Sequence, residues 1–426
     1  MNAVILSIGD ELALGQTVDT NTAWLARQLA GLGIAMTLHM TIADDRQAIA
    51  DAIRHALGHG ELVLVTGGLG PTEDDLTRHA LADVMGAPLE MNEHCLRQLE
   101  AFFQRLGRQM PPSNRIQAMI PRGAEPIDNL AGTAPGMHAV VPRPQEAKGA
   151  ARQADIYVMP GVPKEMMIMF ERDVLPRLRA AGNGGVILSR TLHTFGMGES
   201  SVGEMLGELM RRGRNPSVGT TVSGGVVSVR INARATSRDV AERELAETEA
   251  ACRAALGDLI YGADGLSLAE VVGAMLAERK QTVATAESCT GGLLAKYLTD
   301  VPGSSGWFGF GWVTYANEAK MRQLQVPEAT LQAHGAVSEP TVLAMAEGAR
   351  RLSQADYALA VSGVAGPTGG TPDKPVGRVC IALAAADATR ARTFNFSGDR
   401  EMIRDRSAKM TLTMLRYHLL GKAMPF

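Results

Sequence analysis

At 426 residues the chain exceeds what one ordinary hydrophobic core organises, so two or three domains are expected. Apolar residues at 46% and charged residues at 20% are the balance of a globular protein, and no run of eighteen uncharged apolar residues is present to cross a membrane. A formal net charge of −3 gives no global attraction for nucleic acid or an anionic membrane.

The opening MNAVILSIGDEL has no basic n-region and meets Asp10 and Glu11 at once, so it reads as a strand rather than a signal peptide. Val4 to Ile8 is the apolar run of a buried parallel strand. Trp24, Leu25, Gln28, Leu29 and Leu32 then recur at helical spacing, with Gly31 and Gly33 ending the helix. A second helix carries Ile49, Ile53 and Leu57, and Glu61 to Val65 is a second buried strand. This βαβ rhythm predicts an α/β layered domain. The polar stretch from Pro142 to Asp155 is expected as a surface loop between strands at His138–Val141 and Ile156–Met159.

From about Pro176 to Asp264 the rhythm changes to a small α+β module, with a strand at Ser189–Phe195 and a helix at Ser200–Met210. Hairpin strands are expected around Gly224 and Gly225, followed by a helix capped by Ser237 and running to Leu256. After Gly265 a helix through Leu268, Val272 and Leu276 opens the last domain. Cys95, Cys252, Cys289 and Cys380 lie too far apart for a disulfide framework or a zinc site, and suit a reducing cytoplasm.

The segment QTVATAESCTGGLLAKYL joins a strand, Thr282 to Ala286, to a helix, Leu293 to Leu298. The intervening turn exposes the Ser288 hydroxyl, and its Thr290, Gly291 and Gly292 backbone offers free N–H groups to an oxyanion or other ligand. Acyl transfer needs that pairing of nucleophile and donors. An N-cap serine with turn-forming glycines gives the same pattern, and Cys289 is a second nucleophile candidate that reads more readily as buried and inert. Downstream, VTYANEAK supplies Tyr315, Asn317 and Lys320, and a desolvated Lys320 working through Tyr315 could take the serine proton where no histidine lies in the motif. His334 is near in sequence but fits a surface loop equally well. The VSGVAGPTGG loop, with Ser362, Gly363, Gly366 and Gly369, lets backbone amides approach a phosphate. Arg400, opening the last helix, suits a phosphate or carboxylate, or is a plain surface charge.

Together TAESCTGG, VTYANEAK, HGAVS, VSGVAGPTGG, KPVG and FSGDR resemble, over about 267–420, the nicotinamide mononucleotide deamidase domain of the CinA (competence/damage-inducible protein) family. The resemblance implies Ser288 as nucleophile, assisted by Tyr315 and Lys320, with Arg400 matching the Arg of the GDR motif. It implies hydrolysis of nicotinamide mononucleotide to nicotinic acid mononucleotide and ammonia, with no cofactor in that domain. Arg378 departs from the small polar residue usual after KPVG.

In the first domain, Gly9, Asp10, Glu11 and Asn21 follow one strand, and Thr66, Gly67, Gly68, Gly70 and Thr77 follow another, with a further turn at Gly136. Glycines at strand ends suit a pyrophosphate, and Asp74 and Asp75 could hold a divalent metal or cap the next helix. This set resembles, over about 1–170, the molybdopterin-binding-like domain of CinA proteins, which implies an α/β three-layer fold and a divalent-metal-dependent ADP-ribose pyrophosphatase. The expected organisation is thus 1–172 molybdopterin-binding-like, 173–264 a small α+β connecting module, and 265–426 an α/β deamidase domain. The resemblance also implies a cytoplasmic homodimer acting on nicotinamide mononucleotide and ADP-ribose. Other readings are a competence or DNA-damage binding protein, for which Arg211, Arg212 and Arg214 are the local support, and a molybdopterin-binding protein without hydrolase activity in front.

Overall fold

The computed structural model describes residues 1–144, 152–181 and 185–426. They form two compact units, Met1–Leu188 with Ala233–Glu244, and Ser189–Asn232 with Leu245–Phe426.

In the first unit, six strands form one sheet in the order Ala35–Ile42, Asn2–Ile8, Leu62–Thr66, Gln153–Met159, Gly136–Pro142, Glu125–Ile127. The first four pair in parallel, Gly136–Pro142 runs against them, and Glu125–Ile127 pairs antiparallel with Gly136–Pro142 and so runs with the first four. Successive side chains of a strand point to opposite faces. Val4 and Leu6 therefore join Ile49, Ile53 and Leu57 in one core, while Ala3 and Ile5 join Leu25, Leu29 and Phe170 in another. The result is three layers, helices on both faces of a mostly parallel sheet. The strand Ala35–Ile42 carries no apolar run that would announce it in the sequence. It is the sheet edge, alternating Thr37, His39 and Thr41 with apolar residues, and it lacks the continuous apolar run of its neighbours. The expected loop at Pro142–Asp155 is shorter than its bounds, because Pro142 pairs with Gln153 in the ladder. Its middle, 145–151, lies outside the described residues.

A second sheet is ordered Ser217–Ser223, Val226–Ala235, Val186–Phe195, Ile260–Ala263. Its hairpin turns at Gly224 and Gly225, both at positive φ, the backbone that a tight two-residue turn requires. The helix Arg238–Leu256 follows, and Ser237 Oγ accepts from Val240 N–H at 3.4 Å.

The C-terminal sheet is ordered Phe308–Val313, Val283–Glu287, Tyr357–Gly363, Arg378–Ala384, Thr389–Asn395, with the first three paired in parallel and the last two added through antiparallel ladders. One face packs Val283, Leu359 and Val361 with the helices Leu268–Arg279 and Arg400–Leu419. The other sets Ala284, Ala286 and Ala360 against the helix Glu339–Ser353. Small residues on that face allow helix and sheet to approach closely. Ser267 and Glu270 close a capping box at the start of the first helix. Leu359 is wholly buried in the central strand. Leu359→Ala should lower the stability of this unit by about 2–5 kcal/mol, read from the midpoint of its denaturant unfolding.

Candidate active site

Ser288 stands immediately after the strand Val283–Glu287, between the ends of its two parallel neighbours. Carboxyl ends of parallel strands are where such sheets place ligands, since the chain there turns into loops. Ser288 N–H donates to Val361 O at 2.9 Å, and Thr314 N–H donates to Glu287 O at 2.8 Å, so both flanking strands fix the turn. Gly291 and Gly292 take φ of 58° and 93°, left-handed backbone that a side chain would strain.

Lys320 meets Ser288 directly. Its Nζ donates to Ser288 Oγ at 3.1 Å, to Thr314 O at 2.8 Å and to Tyr315 O at 3.3 Å. Lys320 is 0% exposed and Ser288 8%. Burial pulls the Lys320 ammonium below the ordinary lysine value of 10.5, because a charge without its hydration shell is disfavoured. The expected route through Tyr315 is not what the structure contains. The Tyr315 ring is 60% exposed and its hydroxyl accepts from Arg400 Nη2 at 3.0 Å, so only its backbone carbonyl touches Lys320. Cys289 is buried and its thiol is pushed up to about 12 by burial, which leaves it protonated and a poor nucleophile. His334 ends an exposed helix and offers only its carbonyl, to Lys374 Nζ at 2.7 Å.

Two residues that the sequence left without a role complete the turn. Glu287 is 0% exposed and accepts from the N–H groups of Gly292, Leu294 and Ala295 at 2.8–3.0 Å. It therefore occupies the helix N-terminus that the sequence offered to an external anion. Arg404, one helical turn beyond Arg400, donates to Thr290 O at 2.6 Å. An arginine at i+4 from Arg400 on the last helix was the available signal for it.

The other expected groups divide. Arg400 Nη1 donates to Gly366 O at 2.7 Å, and Asp399 caps the helix beneath it. Asn317 is exposed at the first position of the helix Asn317–Leu324, and Gly369 is at φ 86° in the exposed loop. Ser362 is buried, its hydroxyl spent on Ala336 O at 2.7 Å, and a Cβ on Gly363 would stand 2.6 Å from Val379 Cγ2, so these two serve packing. Arg378 donates to Asp373 O at 3.0 Å. Arg211, Arg212 and Arg214 are exposed, and Arg211 reaches Glu208 at 3.8 Å.

In the first unit a cavity of about 560 Å³ opens at the strand ends, lined by Gly9, Glu11, Asn21, Thr66, Gly67, Gly68 and Gly70. Its ionisable lining is acidic throughout: Glu11, Asp19, Asp44, Asp74, Asp75 and Glu165. Burial, with Asp10, Asp74 and Glu11 nearby, raises the Asp44 carboxyl. Asn21 Nδ2 donates to Gly161 O at 2.8 Å while its Oδ1 has no donor among the described residues. Asp10 is exposed and does not line the cavity; its carboxylate accepts from Asp44 N–H and the Asp44 carboxylate accepts from Asp10 N–H. Thr77 and Gly136 do not line the cavity. Thr77 is buried with its hydroxyl on Gly67 O, and Gly136 packs where a Cβ would stand 2.8 Å from Val158 O.

Asp75, expected as a metal ligand, accepts from Gly70 N–H at 2.6 Å and Thr72 N–H at 2.9 Å, and also from the Thr72 hydroxyl. Its oxygens hold the TGGLGPT loop in shape, as does buried Arg78, which donates to Leu69 O at 2.5 Å and Gly70 O at 3.1 Å. Among the described residues no three His, Cys, Asp or Glu side chains form a metal cage.

Profile comparison matches residues 265–419 to the "CinA C-terminal domain", 4–180 to a "Probable molybdopterin binding domain" and 189–262 to the "Damage-inducible protein CinA KH domain". A "CinA-like protein" of Frankia casuarinae is 45% identical over 431 residues, covering 99% of this chain and 97% of its own. The chain belongs to the CinA family. Another "CinA-like protein", of Desulfovibrio desulfuricans, is 41% identical with 99% and 97% coverage. Among solved CinA-family structures, the competence/damage inducible protein CihA of Agrobacterium tumefaciens is 41% identical over 36% of this chain and 93% of that one, with a TM-score of 0.35.

Asp75→Ala should lower stability in the presence of a chelator by about 0.5–1.5 kcal/mol, the net worth of hydrogen bonds to donors that are part-buried or exposed. A thermal melt in a chelator that matches wild type would remove Asp75 from the support of the loop.

Proposed function

We propose that the C-terminal unit is an amidohydrolase that converts nicotinamide mononucleotide to nicotinic acid mononucleotide and ammonia. The observation that carries this reading is the buried contact between Lys320 Nζ and Ser288 Oγ, a hydroxyl with a desolvated amine as its base. In its neutral form Lys320 takes the Ser288 proton as Oγ attacks the carboxamide carbon. The same ammonium returns the proton to the departing nitrogen, ammonia leaves, and an ester to Ser288 remains. Water, deprotonated by Lys320, then cleaves that ester to the carboxylate and restores the serine. The glycine loop and Arg400 supply the grip for a nucleotide phosphate, as the family resemblance implies.

For the first unit we propose, on the same resemblance, hydrolysis of the ADP-ribose pyrophosphate bond with a divalent cation. The acidic cavity supports it in one respect: the charged groups that line it are all carboxylates, so a diphosphate there gains from a cation between. One or two carboxylates plus ligand oxygens are the usual donor set of a magnesium-like ion. Asp74, with Asp44 on the same cavity lining, would hold the cation, which would neutralise the diphosphate charge. Asn21 Oδ1 offers an acceptor to a ribose hydroxyl or amine.

Ammonia release from nicotinamide mononucleotide should disappear in Ser288→Ala; turnover at the wild-type rate would sink the nucleophile assignment. The sign of the pH dependence follows from Lys320. Its neutral form is populated at lower pH than in an ordinary lysine, so kcat/KM should rise with pH through a value below 10.5 and then level off. A kcat/KM that shows no rise with pH anywhere below 10.5 within the range where the protein stays folded would remove Lys320 as base. For the first unit, ADP-ribose cleavage should require added divalent metal and drop at least tenfold in Asp74→Ala, measured by release of the two monophosphates.

A further inference from the structure

The family resemblance gives Tyr315 a share in catalysis, yet the structure turns its hydroxyl away from the proton path. A lysine ammonium has three N–H donors. Lys320 Nζ is engaged with Ser288 Oγ, Thr314 O and Tyr315 O, and the Tyr315 hydroxyl is not among its partners. The Tyr315 hydroxyl has one partner among the described residues, Arg400 Nη2 at 3.0 Å.

Arg400 is in turn fixed by neutral groups. Its Nη1 donates to Gly366 O at 2.7 Å, and no carboxylate lies within ion-pair distance of it among the described residues. A phenol oxygen and a carbonyl orient the guanidinium plane without cancelling its charge, and five N–H donors leave it spare capacity for a second, anionic acceptor. Each anchor is itself held. Gly366 sits at φ 75° with Val376 Cγ1 2.5 Å from where a Cβ would be, so only glycine presents that carbonyl. Asp399 accepts from Met402 N–H at 2.8 Å and so sets Arg400 at the first position of a twenty-residue helix, whose positive end adds to the pull on an anion.

We infer that Tyr315 is a positioning residue for Arg400, and through it for the anionic group of the substrate, rather than part of the proton path. The inference rests on the amidohydrolase reading and sharpens it. Proton transfer is left to Lys320, while Tyr315, Arg400 and Gly366 form a separate unit that selects a phosphorylated amide.

The test is a double-mutant cycle on nicotinamide mononucleotide, with ammonia release as readout. Tyr315→Phe keeps the exposed ring and removes one hydrogen bond, so KM should rise roughly three- to tenfold with kcat and the pH profile unchanged. Arg400→Met should raise KM by roughly ten- to a hundredfold. On the Arg400→Met background, Tyr315→Phe should have no further effect, because its partner is gone. A fall in kcat at unchanged KM, or an altered pH profile in Tyr315→Phe, would place the phenol in proton transfer and overturn the inference. Equal effects of Tyr315→Phe with and without Arg400 would overturn it also. If wild type releases no ammonia, the amidohydrolase reading fails by itself. Thermal stabilisation by inorganic phosphate, reduced in Tyr315→Phe and lost in Arg400→Met, then still decides whether Tyr315 orients an anion site; equal stabilisation in all three proteins would sink it.

Discussion

Lys320 Nζ lies out of water against Ser288 Oγ, with two backbone carbonyls and no carboxylate as its other partners. A buried cation without a counter-ion is expensive, and the usual relief is to lose its proton. The surrounding chain is arranged so that this relief is available and useful. Thr314 and Tyr315 present their carbonyls because they leave an edge strand whose partner carries Ser288 on the next residue. Between pH 10.5 and the lower folded value the unfolded chain binds the proton more tightly than the folded one. The cost to stability is therefore full at low pH and fades as pH rises toward 10.5.

The parts of this arrangement that the sequence made legible are those with short-range signatures. ESCTGG between a β-branched strand and an apolar helix places Ser288 without any tertiary information, and YANEAK starts a helix whose fourth residue, Lys320, points back toward the preceding turn. The triple-layered first unit followed from apolar runs at Val4–Ile8 and Leu62–Val65, buried on both faces. What escaped depends on long-range pairing. The edge strand Ala35–Ile42 is half polar, so its sequence carries only a weak period of two. Whether a hydroxyl at position 315 faces a lysine five residues on or an arginine 85 residues on is decided by the sheet and the last helix together, and no local pattern encodes it. Asp75 looked like a metal ligand because acidic residues beside a glycine loop satisfy metals and loop amides equally well.

Glu287 shows why a helix N-terminus after a strand is not in itself an anion site. Of the N–H groups expected there, Gly292 donates to the Glu287 carboxylate, which also takes the Leu294 and Ala295 N–H groups of the following helix. A buried carboxylate held by backbone donors locks the turn in a single geometry, which a nucleophile needs if its hydroxyl is to stay in reach of a base. Arg404 locks the far side by holding Thr290 O. The rigidity of the serine turn thus comes from charges that face inward, and the charge available to a ligand lies elsewhere, on Arg400.

The two units set opposite electrostatic conditions for a phosphorylated ligand. In the C-terminal unit, Arg400 is exposed and held by neutral acceptors, so an anion gains from entering and displaces no ion pair. In the first unit every ionisable group on the cavity wall is a carboxylate, and Asp44 is already pushed toward its neutral form by burial and its acidic neighbours. There the charged lining opposes a bare anion, which is the ground on which a cation is proposed for that site. Recognition by a fixed guanidinium depends on the ligand alone, whereas recognition through carboxylates depends on ligand and cation jointly. That difference in charge, more than any difference in fold, separates the chemistry the two units can support.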